Sequence, residues 1–186
     1  RNKMIVEIDK SLFSADDTVC SLKELQRLLY VLFVEEERYK LKVSDTSIFG
    51  SPHFQKLSPE DQNILKLCFD ASINESLKTD RLIRDDGEKF YSEPIYSVQE
   101  GFVFLITPIC VWVENSNNDS PFVLALFRHL QKEIEIDEWL EKSWITFDNL
   151  GGCSNAKNAL EGKLKEKKGK SKMLKFFILL DSDKKW

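Results

Sequence analysis

The chain has few residues that could form disulfide bonds or bind zinc, since only 4 cysteines and 2 histidines occur among its 186 residues. The cysteines stand far apart and never form a Cys-x-x-Cys pair. Both a disulfide framework and a zinc cluster are therefore disfavoured. The composition favours a reduced, cytoplasmic setting, and we expect no secretory signal ahead of the first elements.

Long apolar runs and an excess of positive charge are also missing. The most apolar window, residues 102–113, is interrupted by Thr107 and Pro108 and is too short to span a bilayer, so no membrane partner is expected. The formal net charge of -4 argues against a generally basic nucleic-acid-binding protein. A role on nucleic acid would need a local basic patch. What is present is an ordinary globular composition, 42% hydrophobic and 31% charged.

Helical signals dominate the first half of the chain. Ser21 and Glu24 have the spacing of a capping box, and apolar residues at helical spacing continue from there to about Tyr39. Ser58 and Pro59 have the character of an N-cap and a first helical residue, and a second amphipathic helix follows them. We therefore predict a mainly helical scaffold with short strands for residues 1–100.

The pattern changes to strand, helix, strand, helix, strand within residues 101–186, which we predict to be an α/β domain. The predicted strands are residues 109–113, 144–147 and 173–180. The predicted helices begin at Ser120-Pro121 and at Ser154. The third strand is densely apolar apart from Lys175, which is typical of a strand buried on both faces at the centre of a parallel sheet.

A candidate functional feature, an acid or a glycine pair, follows each of the three predicted strands. A parallel sheet brings the carboxyl ends of its strands to one edge. The features are Glu114, the pair Gly151–Gly152, and Asp181 with Asp183. Carboxylates without a usable histidine suit Mg²⁺ or Mn²⁺. Such an ion neutralises phosphate charge and lowers the pKa of bound water. Each acid could equally be a surface residue after a strand.

Two further features admit a structural and a functional interpretation. Lys168, Lys170, Lys172 and Lys184 belong to a lysine-rich stretch, which suits either a solvated surface near a helix end or a phosphate-binding track. Gly151–Gly152 could form a simple tight turn, or could let a phosphate approach the amides at the start of the next helix.

Three short segments resemble, in order and spacing, the motifs of the TOPRIM domain, which topoisomerases, bacterial primases and OLD-type nucleases share. The segments are Val113-Glu114-Asn115, Leu150-Gly151-Gly152 and Leu180-Asp181-Ser182-Asp183. The resemblance covers about residues 109–186 and implies a TOPRIM-like parallel sheet flanked by helices. It also implies metal binding and catalysis by Glu114, Asp181 and Asp183, with Asp119 as a further metal ligand.

The sequence departs from the family pattern at two places. Asn115 stands where related nucleases commonly have glycine, and the sequence ends at Trp186, where the family's domain normally continues with a helix and a strand. We therefore expect the sheet to be completed elsewhere or in a longer protein.

By this resemblance the protein would be a Mg²⁺-dependent nuclease acting on DNA or RNA. The OLD-type and defence-associated members further imply a role in anti-phage defence, an ATPase partner protein and an oligomer. Two alternatives stay open. One is a glycosyltransferase that uses Asp181 and Asp183 to hold a nucleotide sugar, and the other is a non-catalytic interaction or inhibitory subunit with a degenerate TOPRIM-like domain.

Overall fold

The computed structural model describes residues 3–14, 20–86, 94–130 and 136–180. The chain forms two compact units that meet in sequence between Ile106 and Thr107. Each unit contains a parallel sheet with helices, so the predicted α/β class is confirmed. The second unit begins six residues after the predicted boundary at residue 101, because the preceding residues form the last helix of the first unit.

The first unit contains a four-stranded parallel sheet in the order β2-β1-β3-β4. Its strands are β1 (Met4–Ile8), β2 (Tyr39–Val43), β3 (Arg81–Ile83) and β4 (Ile95–Tyr96). Its α-helices are α1 (Leu22–Val34), α2 (Pro52–Gln55), α3 (Pro59–Asn74) and α4 (Val98–Ile106). Helical residues outnumber strand residues in this unit, as predicted, and the short strands join into one parallel sheet.

The start of α1 is confirmed and its end is not. The Ser21 hydroxyl accepts a hydrogen bond from the Glu24 N–H at 3.3 Å, and the Glu24 carboxylate accepts one from the Ser21 N–H at 3.0 Å, which completes the predicted capping box. α1 ends at Val34 because Tyr39 already begins β2. The buried Tyr39 hydroxyl donates to the Leu105 carbonyl at 2.8 Å, which anchors this strand to the end of α4.

The predicted start of α3 is also confirmed. The Ser58 hydroxyl accepts a hydrogen bond from the Asp61 N–H at 3.1 Å, and Pro59 occupies the first helical position, where its missing N–H costs nothing.

The second unit contains a three-stranded parallel sheet in the order β6-β5-β7. Its strands are β5 (Ile109–Val113), β6 (Ile145–Asn149) and β7 (Phe176–Leu179). Its α-helices are α5 (Ser116–Leu130), α6 (Ile136–Glu141) and α7 (Ala156–Glu166). The predicted alternation of strands and helices is confirmed, and β5 has the predicted bounds.

The prediction that the third strand is central and buried on both faces is wrong. Within the described residues β7 pairs with β5 alone and forms an edge of the sheet, while β5 lies at the centre. Phe177 is 63% exposed. It lies on the same sheet face as Val111, which packs against α5 and α6, but among the described residues Phe177 has no such cover.

α5 begins at Ser116, four residues before the predicted start at Ser120, so Pro121 lies inside the helix. The polar segment before it explains the early start. The Asp119 carboxylate accepts a hydrogen bond from the Asn115 N–H at 2.6 Å, and the Asn115 side chain accepts one from the Asn117 N–H at 3.1 Å. These bonds satisfy amides at the beginning of the helix.

The two faces of the second sheet are packed differently. On one face Val111 and Val113 of β5 join a buried cluster with residues of α5, α6 and β6. On the other face lie Cys110 and Trp112, and the nearby α7 contributes no buried residue.

Candidate acidic site at the edge of the second sheet

The register of the second sheet determines which segments can meet at its carboxyl edge. Val113, the last residue of β5, is aligned with Asn149 of β6 and with Leu179 of β7. The chain passes from β5 to β6 on one side and then to β7 on the other, so β5 lies at a topological switch point. Ligands of open α/β sheets bind beyond the carboxyl ends of the strands at such points. Glu114 directly follows β5 at this position.

Glu114 and the glycine turn, which are far apart in sequence, are brought together as predicted. The Glu114 Oε1 atom accepts a hydrogen bond from the Cys153 N–H at 3.3 Å, across 39 positions of sequence. Gly152 has a φ of 103°, a backbone conformation that strongly favours glycine. A Cβ built at Gly152 would lie 3.9 Å from the same oxygen. The turn therefore presents a backbone amide to the Glu114 carboxylate.

Two asparagines hold the glycine turn in place, and neither was predicted from the sequence. The Asn149 side chain accepts a hydrogen bond from the Gly151 N–H at 2.9 Å, and the Asn155 side-chain amide donates to the Gly151 carbonyl at 2.7 Å. The first of these is a side-chain bond to a backbone amide two residues ahead, a pattern that Asn favours in turns. These contacts fix the position of the amide that binds Glu114.

Asp119 has a local role in the structure. It lies in the first turn of α5, and its hydrogen bond to the Asn115 N–H places it at the start of this helix. Both described acids of the predicted metal site, Glu114 and Asp119, thus accept a hydrogen bond from a backbone amide. In each case the bond orients the carboxylate.

The predicted Mg²⁺ or Mn²⁺ site is described in part. Asp181, Asp183 and Lys184 lie outside the described residues. Within residues 3–14, 20–86, 94–130 and 136–180, no group of three or more His, Cys, Asp or Glu side chains is arranged to hold a metal ion. Mg²⁺ and Mn²⁺ prefer several oxygen ligands, so the described acids alone do not make a complete site.

The three predicted lysines that the structure describes lie away from Glu114. Lys168, Lys170 and Lys172 lie between the end of α7 and the start of β7. Because β7 is parallel to β5, its start is at the edge of the sheet opposite to Glu114. α7 has 11 residues and connects the two edges, which corresponds to a separation of about 16 Å. The lysines and the Gly151–Gly152 turn are therefore separate features.

The structure also contains a cleft between α7 and the sheet, which the sequence did not predict. Its volume is about 200 Å³, and its lining includes Cys110, Trp112 and Asp148. The Cys110 thiol lies 3.3 Å from the Asp148 carboxylate. Burial, and after it the hydrogen bond to Asp148, raise the pKa of Cys110 to about 11, so the group is a thiol at neutral pH and not a nucleophile. Only the pairing of β5 with β6 brings these residues together.

Comparisons of the chain with protein-family models, with curated proteins and with solved structures find no match. None of the helices in the described part of the chain is long and apolar enough to cross a membrane.

Proposed function

We propose that the carboxyl edge of the second sheet is the catalytic centre of a Mg²⁺- or Mn²⁺-dependent nuclease. The observation that carries this proposal is the contact between Glu114 and the Cys153 amide. It joins two of the three segments that the TOPRIM resemblance assigns to one site. The third segment, Asp181 and Asp183, follows Leu180 in the sequence at the end of β7 and lies outside the described residues.

In this proposal Glu114, Asp181 and Asp183 hold the metal ion, and Asp119 is a further candidate ligand. A bound divalent ion would neutralise phosphate charge and generate a hydroxide nucleophile from water. The hydrogen bond from Cys153 restrains the Glu114 carboxylate at the switch point of the sheet. A restrained carboxylate can bind a cation or accept the proton of an attacking water molecule.

The substrate would be DNA or RNA. A role in anti-phage defence, an ATPase partner and an oligomeric state belong to the same proposal, and they rest on the resemblance to OLD-type nucleases alone. A cytoplasmic location is proposed from the sparse cysteines of the sequence.

One observation favours a second candidate function, a non-catalytic interaction or inhibitory subunit. Glu114 and Asp119 each already bind a backbone amide, as acids with a purely structural role do. In a degenerate TOPRIM-like domain these bonds would be the whole function of both residues.

A Glu114→Gln variant separates the two candidates. Glutamine keeps a side-chain oxygen that can accept the Cys153 N–H, but it lacks the charge that holds a metal ion. The nuclease proposal predicts that cleavage of labelled DNA or RNA falls about 100-fold or more. The thermal unfolding temperature should stay close to that of the unchanged protein. Asp9→Asn is the matched control, because Asp9 directly follows β1 as Glu114 follows β5, and it should leave cleavage unchanged.

The assay is run with Mg²⁺, with Mn²⁺ and with a chelator. Cleavage that needs the metal and is lost in Glu114→Gln supports the nuclease. If the unchanged protein cleaves neither DNA nor RNA under any of these conditions, the proposal is wrong and the non-catalytic alternative is favoured.

A further inference from the structure

One short segment of this acidic chain has a high net positive charge, and we call it the lysine surface. It comprises seven lysines and one glutamate between residues 163 and 175: Lys163, Lys165, Lys167, Lys168, Lys170, Lys172, Lys175 and Glu166. Seven positive charges against one negative charge give the segment +6. The whole chain carries -4, so the remaining residues carry -10. A concentration of this size creates a local field of the opposite sign to the rest of the molecule.

Backbone hydrogen bonds hold the lysine surface on a defined turn. The Gly169 N–H donates to the Leu164 carbonyl at 2.7 Å, and the Lys168 N–H donates to the Lys165 carbonyl at 3.0 Å. Lys168 and Gly169 both have positive φ values, 53° and 76°, as at a helix C-terminus that ends in a left-handed turn. The lysines are therefore attached to an ordered helix end.

Helix stabilisation does not explain so many lysines. One or two cations in the last turn suffice to complement the helix dipole, and their effect fades beyond that turn. Glu166 forms an ion pair with Lys163 at 3.3 Å. Lys165 and Lys168 are exposed, and a bound phosphate would offset the weak repulsion among the neighbouring lysines.

We infer that the lysine surface is a second nucleic-acid contact, which binds phosphates of the substrate at a distance from the bond that is cleaved. This inference rests on the proposed nuclease function. The length of α7 separates the lysine surface from the Glu114 edge by about 16 Å, which corresponds to about five base pairs of a duplex. The substrate would thus be a nucleic acid that extends at least this far from the cleaved bond.

The kind of cation indicates how the substrate is read. The segment from 163 to 175 contains lysine and no arginine. Lysine binds phosphate as a point charge, whereas recognition of base edges commonly uses the planar arginine fork. The lysine surface should accordingly bind nucleic acid without sequence preference and with a strong dependence on salt.

The test compares two triple variants that have the same net charge. One is Lys165→Gln, Lys167→Gln, Lys168→Gln on the lysine surface. The control is Lys23→Gln, Lys56→Gln, Lys78→Gln, at three exposed lysines of the first unit. Binding to a labelled DNA duplex of about 30 base pairs, and to a hairpin of about four base pairs, is measured in EDTA over a range of salt concentrations. Without a divalent ion, binding is measured independently of cleavage.

For the long duplex we expect the surface variant to bind about tenfold or more weakly at low salt, with the slope of log K against log salt reduced by about 2 to 3. The control variant should bind like the unchanged protein, and the hairpin should give the same order of affinities with a smaller salt slope, because it carries fewer phosphates. Equal losses in the two variants would overturn the inference, as would an unchanged protein that does not bind the duplex. If poly-glutamate displaced the labelled duplex as effectively as unlabelled duplex does, the inference would also be overturned, in favour of an acidic protein partner.

Discussion

An acid directly follows an interior strand, β1 or β5, in each unit of this protein, and the two acids are used differently. Asp9 follows β1 and accepts a hydrogen bond from the Ser11 N–H at 2.9 Å, two residues further along the chain. Glu114 follows β5 and binds an amide that is 39 positions away, beside the glycine turn after β6. An acid after a strand is therefore not itself a sign of a shared site. The sequence distance to its partner distinguishes a local cap from a residue that joins two loops.

Burial separates the units as well. α1 of the first unit carries five buried residues, and its sheet has Val6 and Val43 at 0% exposure. In the second unit α7 carries no buried residue, and β7 is partly exposed. α1 is thus packed into the core of the first unit, whereas α7 and β7 lie at the margin of the packed part of the second unit.

Truncation of one leucine in each unit should give the largest difference. Leu28 in α1 is fully buried, whereas Leu164 in α7 is half-buried. We expect Leu28→Ala to lower the free energy of unfolding by about 2–5 kcal/mol and Leu164→Ala by about 1 kcal/mol.

Denaturant unfolding followed by circular dichroism measures both variants. All four tryptophans belong to the second unit, so their fluorescence reports on that unit separately. Equal losses of stability in the two variants would show that α7 is packed as tightly as α1, contrary to the difference in burial.

Two glycines within helices provide a second comparison. A Cβ added at Gly101 in α4 would lie 2.7 Å from the buried Ile83 side chain, whereas a Cβ at Gly162 in α7 would meet nothing within 4 Å. Gly101→Ala should therefore lower the free energy of unfolding by about 1–3 kcal/mol through overpacking. Gly162→Ala should raise it by about 0.5–1 kcal/mol, because alanine favours the helix. Thermal unfolding of both variants checks the signs, and stabilisation by Gly101→Ala would contradict the close packing of α4 on β3.

The elements that the sequence predicted well are those with local signals. The capping box at Ser21 and the proline start of α3 depend on residues within one helical turn, and β5 is a compact apolar run. β2 was missed because it comes soon after the helical pattern of α1, and no glycine or proline separates the two in the sequence. The edge position of β7 was missed because strand order depends on pairing, which local composition does not specify.

The candidate site was predictable to the same extent. Parallel strands imply a common carboxyl edge, and this was enough to bring Glu114 to the glycine turn. The lysines were expected near the acids because they are close in sequence, but a helix of 11 residues carries the chain from one edge of the sheet to the other. The cleft at Cys110 depends on the register between β5 and β6, for which the sequence has no local signal.

The smallest expected effect concerns one carboxylate in each unit. Burial acts to raise the pKa of Glu7, but hydrogen bonds from Ser44, Thr79 and Lys42 outweigh it, so that its pKa is lowered. Hydrogen bonding to Arg128 lowers the pKa of Asp137, at the exposed surface of the second unit. A lowered pKa means that each group stabilises the fold above its unfolded pKa and loses this contribution as the pH falls through the folded value.

We therefore expect Glu7→Gln to destabilise the protein by about 1 kcal/mol at pH 7, and the difference to disappear as the pH falls well below the ordinary value of 4.5. About 0.5 M salt should leave this difference largely intact, because Glu7 and Lys42 are about four-fifths buried. The same salt should abolish any effect of Asp137→Asn, since both partners of that pair are more than half exposed. Denaturant unfolding of both variants, at pH 7 and well below pH 4.5 and at low and high salt, measures these differences in stability. Equal salt sensitivity of the two variants would show that the polar network of the first sheet is as solvated as the surface pair of the second unit.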